Sequence, residues 1–330
     1  MSHPWARRLV TIPLVALACA LTWTTLPALL VLALVIDVCR FALARRAFMA
    51  TRLTLFALYY LSAEVIGLAA LTLVWVGTLP RGRGASIDAT YKVQRHWARG
   101  LFGAARRLLS LEIEVDGDAC VTPGPIVVLL NHASLLDALL PTVLVTHAHG
   151  IRLRFVLKRE LLVSPCLDVA GLRLPNVFVD RSATQTQLEL DKIRALGLAL
   201  GPNEGALIYP EGTRMTADKR TRALAKLAES DPVLHAEASS LEHVLPPRFG
   251  GTFALLDGAP EADVVFLAHR GLEGFAHYRD FLAGRLVGST IHVRMWRVPR
   301  REIPVERDAR ARWLLARWRE VDAFVGSPRA

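Results

Sequence analysis

The chain has 330 residues, 52% of them hydrophobic and 21% charged, with a mean hydropathy of +0.33. That is too apolar for a disordered chain, and the periodic signatures of collagen and coiled coils are missing. An excess of 40 basic over 30 acidic residues, a net charge of +10, leaves nucleic acid or an anionic membrane surface as the partners to decide between.

The N-terminal region decides it. Residues 9–36 carry no formal charge and are flanked by Arg7 and Arg8 on one side and Asp37, Arg40, Arg45 and Arg46 on the other. As a helix this stretch reaches roughly 40 Å, more than a hydrocarbon core of roughly 30 Å requires. A second apolar stretch, residues 53–79, carries only Glu64 and ends before Arg81 and Arg83. A cleaved signal peptide would need a shorter apolar core and a small-residue cleavage site before a folded domain. A second span follows instead, so residues 1–80 read as a membrane-embedded helical hairpin. More cations flank the hairpin than lie in its loop, which favours both ends on the cytoplasmic side. Pro13 and Pro27 leave a re-entrant hairpin as the alternative. Glu64 is expected to face the partner helix or to sit protonated, because an unpaired charge in lipid is costly. Two membrane spans explain the basic flanks, and no nucleic-acid partner is expected.

From residue 81 to 330 the pattern becomes a mixed α/β alternation. Residues 88–109 form an amphipathic helix with Val93, Trp97, Leu101 and Leu108 near helical spacing. Strands are expected at 111–115, 126–130, 153–157, 176–179, 206–209, 263–268 and 291–297, with helices near 135–147, 184–200, 218–229 and 306–324. Such alternation predicts an α/β fold with a mixed, largely parallel sheet flanked by helices. Cys19, Cys39, Cys120 and Cys166 show neither paired spacing nor a CxxC, so neither a disulfide framework nor a thiolate zinc site is expected.

Strand 126–130 runs into Asn131-His132-Ala133-Ser134-Leu135-Leu136-Asp137. Residues five apart diverge on a continuous helix, so His132 and Asp137 meet only if the histidine lies in the turn before a helix and the aspartate reaches back. Ser134-x-x-Asp137 supplies a capping-box-like helix start. The functional reading is a histidine base oriented by a carboxylate; the plain reading is a helix cap beside a loop histidine. Strand 206–209 enters Pro210-Glu211-Gly212-Thr213-Arg214, where glycine lets backbone amides approach an anion and Arg214 offers a planar fork for phosphate. Lys158-Arg159-Glu160-Leu161 and Val177-Phe178-Val179-Asp180-Arg181-Ser182 place further cations at strand ends, where α/β sheets bind ligands. Val244-Leu245-Pro246-Pro247-Arg248 makes a rigid turn.

In this order, N-H-x-S-x-x-D, F-x-D-R-S, P-E-G-T-R and V-L-P-P-R resemble the blocks of the glycerolipid acyltransferase family over roughly residues 85–325. The likeness is to 1-acylglycerol-3-phosphate acyltransferases, and especially to the lysocardiolipin acyltransferase-like branch. That branch is also similar in Lys158-x-Glu160-Leu161, in His243-Val244-Leu245-Pro246-Pro247-Arg248 and in Ile303-Pro304…Trp313-Leu314. Tyr209 stands where the family usually has phenylalanine, and Leu174-Pro175-Asn176 replaces the usual lead-in to the second block. The resemblance implies acyl transfer from acyl-CoA or acyl carrier protein to a lysophospholipid hydroxyl, without a metal or cofactor. It implies His132 and Asp137 as catalytic residues, and Arg181, Glu211, Gly212, Thr213, Arg214 and Lys158 as substrate-binding residues. A lysocardiolipin-type remodelling enzyme and a non-catalytic membrane lipid-binding protein are the alternatives. A bacterial inner membrane, with the catalytic domain on the cytoplasmic face, is the expected location. No nucleotide-binding loop or H-E-x-x-H is present, His147-x-His149 alone is a poor metal site, and the remaining histidines, His243 and His269 among them, read as structural or exposed.

Overall fold

The computed structural model describes residues 3–45, 47–180, 186–273 and 282–327. The chain forms two compact units. One comprises Met1–Glu112, Leu157–Val179 and His277–Ser289; the other Ile113–Val156, Asp180–Ala276 and Thr290–Ala330.

The first unit begins with α1 (Pro4–Ala44) and α2 (Met49–Thr78), two helices long and apolar enough to cross a membrane and packed on each other as a hairpin. Pro13 and Pro27 lie inside α1 without ending it. Leu9, Leu14, Leu17 and Leu21 are exposed on α1, a contiguous apolar face of the kind that water disfavours. Asp37 turns the hairpin: its carboxylate accepts the backbone N–H groups of Ala50 and Thr51 at 2.9 and 2.8 Å, covering donors that the first turn of α2 leaves unpaired. Helix α3 (Gly82–Leu109) buries Tyr91, Ala98, Leu101, Phe102 and Leu109 and packs on α2. Between these two helices lies an apolar cleft of about 440 Å³, lined by Ile66, Gly67, Val93 and Trp97 among others.

Glu64 has a different partner from the expected one. It is fully buried and receives the Ser164 hydroxyl at 2.9 Å and the Cys166 N–H at 3.0 Å, at the start of α4 (Pro165–Arg173). A carboxylate at a helix N-terminus meets orphan N–H donors and the positive end of the helix dipole, which offsets the cost of its burial. The same helix carries Asp168, fully buried, to which Arg7 donates from both Nε and Nη2 at 2.8 Å while Arg8 adds a contact at 3.2 Å. Both helices of the hairpin are thereby tied to α4, a helix too short and mixed to stand out by periodicity.

The sheet contains β1 (Glu112–Asp116), β2 (Ile126–Leu130), β3 (Arg152–Lys158), β4 (Val177–Val179), β5 (Glu204–Ile208), β6 (Asp263–Arg270) and β7 (Thr290–Val298), in the order β1-β7-β6-β2-β5-β3-β4. Strand β2 pairs in parallel with β5 and β6, β3 pairs in parallel with β5, and β7 closes antiparallel on β6. Every residue of β2 is buried, as is β6 apart from its ends, which is why both read as unbroken apolar runs rather than alternating ones. The remaining helices are α5 (Thr186–Gly197), α6 (Ala217–Ser230), α7 (Pro232–Ala238), α8 (Phe249–Gly258) and α9 (Arg307–Gly326). Trp318 of α9 is fully buried, and its indole N–H donates to the Leu245 carbonyl at 3.0 Å.

All seven expected strands are present with small shifts at their ends. The expected helix at 135–147 is instead a 3₁₀ turn, Leu136–Leu139, followed by a π-helical stretch, Thr142–His147. Pro141 lies at the junction, where it removes an amide and crowds the preceding turn. Helices α4, α7 and α8 were not signalled by the sequence pattern.

Replacing Asp168 with alanine leaves two arginines facing an apolar gap. Loss of one partner of a buried ion pair costs about 3–5 kcal/mol, so Asp168→Ala is expected to melt well below the wild type in detergent. A melting temperature within error of the wild type would mean that this contact does not hold the first unit together.

Candidate active site

The site is built at the C-terminal end of β2, entirely within the second unit. His132 follows Asn131 at the strand end, and its Nδ1 lies 3.0 and 3.2 Å from the two carboxylate oxygens of Asp137. Asp137 also accepts the backbone N–H groups of Ala133 and Ser134, both at 2.7 Å. The Ser134 hydroxyl accepts in turn from Leu136 N–H at 3.0 Å and Asp137 N–H at 3.2 Å. The geometry that each of the two readings requires is therefore present in one turn. Ser134 and Asp137 cap each other's ends of the turn, and the same closure brings the carboxylate under the imidazole.

Asp137 is fully buried. Burial alone would push its pKa up, but hydrogen bonds from His132 and from a second histidine, His269, outweigh it and hold the carboxyl well below the usual range. His132 is partly open, with 21% of its side chain exposed. With Nδ1 on Asp137, Nε2 is the ring atom left for a substrate. A small cavity of about 50 Å³ is lined by His132, Ala133, Met215, His243 and Glu273 among others. The ring of Tyr209 lies against the His132 ring, with centroids 4.6 Å apart and planes tilted by 45°. What Tyr209 presents to His132 is its aromatic face, which phenylalanine also has. Its phenol is pushed well up by burial and by the nearby Asp137 charge, so it stays neutral.

The turn after β5 grips His132 from both sides of its peptide. Glu211 Oε1 accepts the His132 N–H at 2.8 Å, and Met215 N–H donates to the His132 carbonyl at 2.9 Å. Glu211 Oε2 accepts Leu245 N–H at 3.0 Å, so one carboxyl joins the histidine turn to the Leu245-Pro246-Pro247 turn. Gly212 has φ +70°, a left-handed conformation, and a Cβ there would meet Arg248 Cδ and Nε at 3.1 Å. Glycine is therefore demanded by backbone and by packing at once. Thr213 accepts from Lys219 Nζ at 3.0 Å, which also reaches the Arg214 carbonyl at 3.2 Å. Arg214 is partly exposed on the same turn.

The structure thus brings His132, Asp137, Glu211, Gly212, Thr213 and Arg214 into one constellation. Lys158 belongs to the first unit, where it pairs with Glu160 at 2.7 Å. Arg181 lies outside the described residues. Among the described residues there is no group of three or more His, Cys, Asp or Glu side chains placed to hold a metal ion.

Residues 112–251 match the family model described as Acyltransferase. The matched stretch makes up 140 of the 330 residues. Over 229 residues the chain is 24% identical to a mouse (Mus musculus) protein named 1-acyl-sn-glycerol-3-phosphate acyltransferase epsilon; the match covers 65% of this chain and 61% of the relative's length. A solved structure, the 1-acyl-sn-glycerophosphate (LPA) acyltransferase from Thermotoga maritima, superposes with a TM-score of 0.55 at 15% identity, covering 84% of this chain and 98% of that one. At that identity the likeness is one of fold. The matched segment contains both the His132–Asp137 turn and the Glu211–Arg214 turn, and it ends just beyond Arg248.

Sequence reasoning missed His269, which closes over Asp137 from β6 with its Nε2 at 3.4 Å from Oδ2. It also missed the cross-strand role of Asn131, whose side chain donates to the His269 carbonyl at 3.0 Å and accepts the His269 N–H at 2.9 Å. One signal was present: two apolar strands, IVVLL and DVVFLA, each run directly into a residue with a polar side chain. Only pairing β2 with β6 makes those residues neighbours.

Glu211 supplies a pH test. Burial, added to by the charges of Asp137 and Asp322 and opposed by the two backbone N–H donors, pushes its pKa from an ordinary 4.5 up to about 8. With the folded value above the unfolded one, its stabilising contribution is full at low pH and falls away as pH rises from about 4.5 to about 8. Glu211→Gln cannot ionise and lacks this slope. Melting curves in detergent between pH 5 and 8 should therefore show the wild type losing stability faster than Glu211→Gln; parallel trends would show that Glu211 does not titrate in this window.

Proposed function

We propose that the protein transfers a fatty acyl group from an acyl thioester to the free hydroxyl of 1-acyl-sn-glycerol 3-phosphate, giving phosphatidic acid. The observation that carries this reading is the His132–Asp137 pair, with His132 lining a small cavity and both sides of its peptide bonded to the turn that bears Arg214. The mouse relative, named as an acyltransferase of this acceptor, supports it.

In the proposed mechanism His132 Nε2 takes the proton of the acceptor hydroxyl while the oxygen attacks the thioester carbonyl. The tetrahedral intermediate collapses with cleavage of the C–S bond, and the departing thiolate recovers the proton from His132. Asp137 holds the ring in the tautomer with Nδ1–H and offsets the charge that develops on it. The thioester is already activated, so positioned proton transfer, worth about 10²–10⁴-fold, and alignment of the two substrates are what the protein adds. Arg214, on the Gly212 turn, binds the acceptor phosphate, and Glu211 and Thr213 shape that turn. Arg181 and Lys158 are assigned to substrate binding by their places in the family blocks. Residues 1–80 anchor the enzyme in the membrane and residues 81–330 carry the reaction at its cytoplasmic face, in a bacterial inner membrane. The apolar cleft between α2 and α3 suits a hydrocarbon chain. Acyl-CoA and acyl carrier protein both satisfy the donor chemistry.

His132→Ala is expected to remain folded and membrane-bound while losing acyl transfer by at least about 10²-fold. Near-normal turnover in that variant, with either donor, would overturn the mechanism.

The acceptor follows from charge. A phosphate monoester carries up to two charges and three terminal oxygens, a lysophosphodiester one charge and two, so a guanidinium fork gains more from the former. Arg214→Ala is expected to weaken use of 1-acylglycerol 3-phosphate about ten- to a hundredfold, with little change in the KM for the thioester. Competition between equal lysophosphatidic acid and lysocardiolipin tests the assignment; preference for lysocardiolipin would replace it with a remodelling enzyme.

A further inference from the structure

We propose that His269 is a positioning residue for the acyl-transfer centre: a second histidine that holds Asp137 by its outer oxygen and sets how strongly Asp137 binds the His132 proton. The inference rests on the assignment of His132 and Asp137 as the reacting pair.

His269 is fully buried near the end of β6, a place where a polar ring is costly unless its nitrogens are used. Its Nε2 lies 3.1 Å from the Asn131 carbonyl and 3.4 Å from Asp137 Oδ2. Its Nδ1 meets no hydrogen-bonding atom among the described residues. A proton on Nδ1 would therefore be a buried donor without an acceptor, whereas a proton on Nε2 faces two acceptors. Geometry therefore places the ring proton on Nε2, which faces the Asn131 carbonyl at 3.1 Å and Asp137 Oδ2 at 3.4 Å.

The backbone of His269 is held as firmly as its ring. The Asn131 side chain bonds both its N–H and its carbonyl, at 2.9 and 3.0 Å, and Asn131 is itself the residue before His132. Asp137 Oδ1 lies nearest His132 Nδ1, at 3.0 Å, while Oδ2, 3.2 Å from the same nitrogen, also takes the Ala133 and Ser134 amides and the edge of His269. Besides the two histidines, the titratable groups among the described residues that bear on Asp137 are Tyr209, just after β5, and Glu211 in the turn that follows. A donor on Oδ2 draws charge away from Oδ1. Without it, Asp137 attracts the His132 proton more strongly, His132 becomes a stronger but more readily protonated base, and the carboxylate loses one of its fixed directions.

The test compares His269→Leu, which removes the donor, with His269→Gln, whose amide can present one at the position of Nε2. Full-length protein in detergent is assayed with lysophosphatidic acid and acyl-CoA. His269→Leu is expected to lower kcat about ten- to a hundredfold while both KM values stay within about twofold. The acidic limb of its kcat/KM profile should move to higher pH, because His132 must be neutral to act. His269→Gln should recover most of kcat and return the limb towards the wild-type position. A folded His269→Leu with wild-type kcat and limb overturns the proposal. So does equal loss in both variants with the limb unmoved, which is what packing alone would produce. Should His269→Leu not fold, a folded His269→Gln with a hundredfold loss overturns it by itself. His132→Ala, run alongside, separates the two levels: activity in His132→Ala removes the underlying mechanism, whereas an inactive His132→Ala beside unaffected His269 variants removes only the role of His269.

Discussion

The structure of the site depends on one buried carboxylate. Asp137 has no water to solvate it, and an uncompensated charge in such a place is not tolerated. Two backbone amides from its own turn, the Nδ1 of His132 and the edge of His269 together supply the compensation. Each of these donors is itself fixed by another contact, so satisfying Asp137 dictates the conformation of residues 131–137. The irregular 3₁₀ and π-helical path from Leu136 to His147 follows a turn already closed by Ser134 and Asp137 and interrupted by Pro141.

A second carboxyl, that of Glu211, extends the same logic between loops. Its two oxygens bond one amide from the His132 turn and one from the Leu245 turn, and Trp318 of α9 secures the Leu245 carbonyl. Asp322, one turn further along α9, accepts the N–H groups of Glu242, His243 and Val244. Three loops that carry the family-like blocks are therefore joined through acidic side chains and buried amides. Geometry built this way is rigid, because moving any one loop strands a buried donor.

The first unit applies the same principle to a helix. Helix α4 receives a carboxylate, Glu64, at its N-terminus and offers its own, Asp168, to two arginines from the start of α1. Charges that hydropathy marks as misplaced, Glu64 within an apolar span and Arg7 beside one, are satisfied by polar groups of a single nine-residue helix. The hairpin is thus defined by apolar length and located by a few charged contacts.

Length of apolar run, strand composition and block order were legible along the chain, because each depends on neighbours in sequence. They determined the hairpin, the seven strands, the α/β class and the placing of His132, Asp137 and the Glu211–Arg214 turn at strand ends. Helices α4, α7 and α8 escaped notice because they are short and their stability comes from what they pack against rather than from a long amphipathic stripe. Glu64 read as an isolated polar group, since its partners lie a hundred residues away in the sequence. His269 read as structural or exposed for the same reason. Its relation to Asp137 exists only because β2 and β6 are adjacent and parallel, so that their C-terminal ends arrive together. Residue types and local spacing could announce a histidine and a carboxylate capable of meeting. Which donors compete for that carboxylate is a property of strand order, and strand order is decided by burial of the whole sheet rather than by any segment of it.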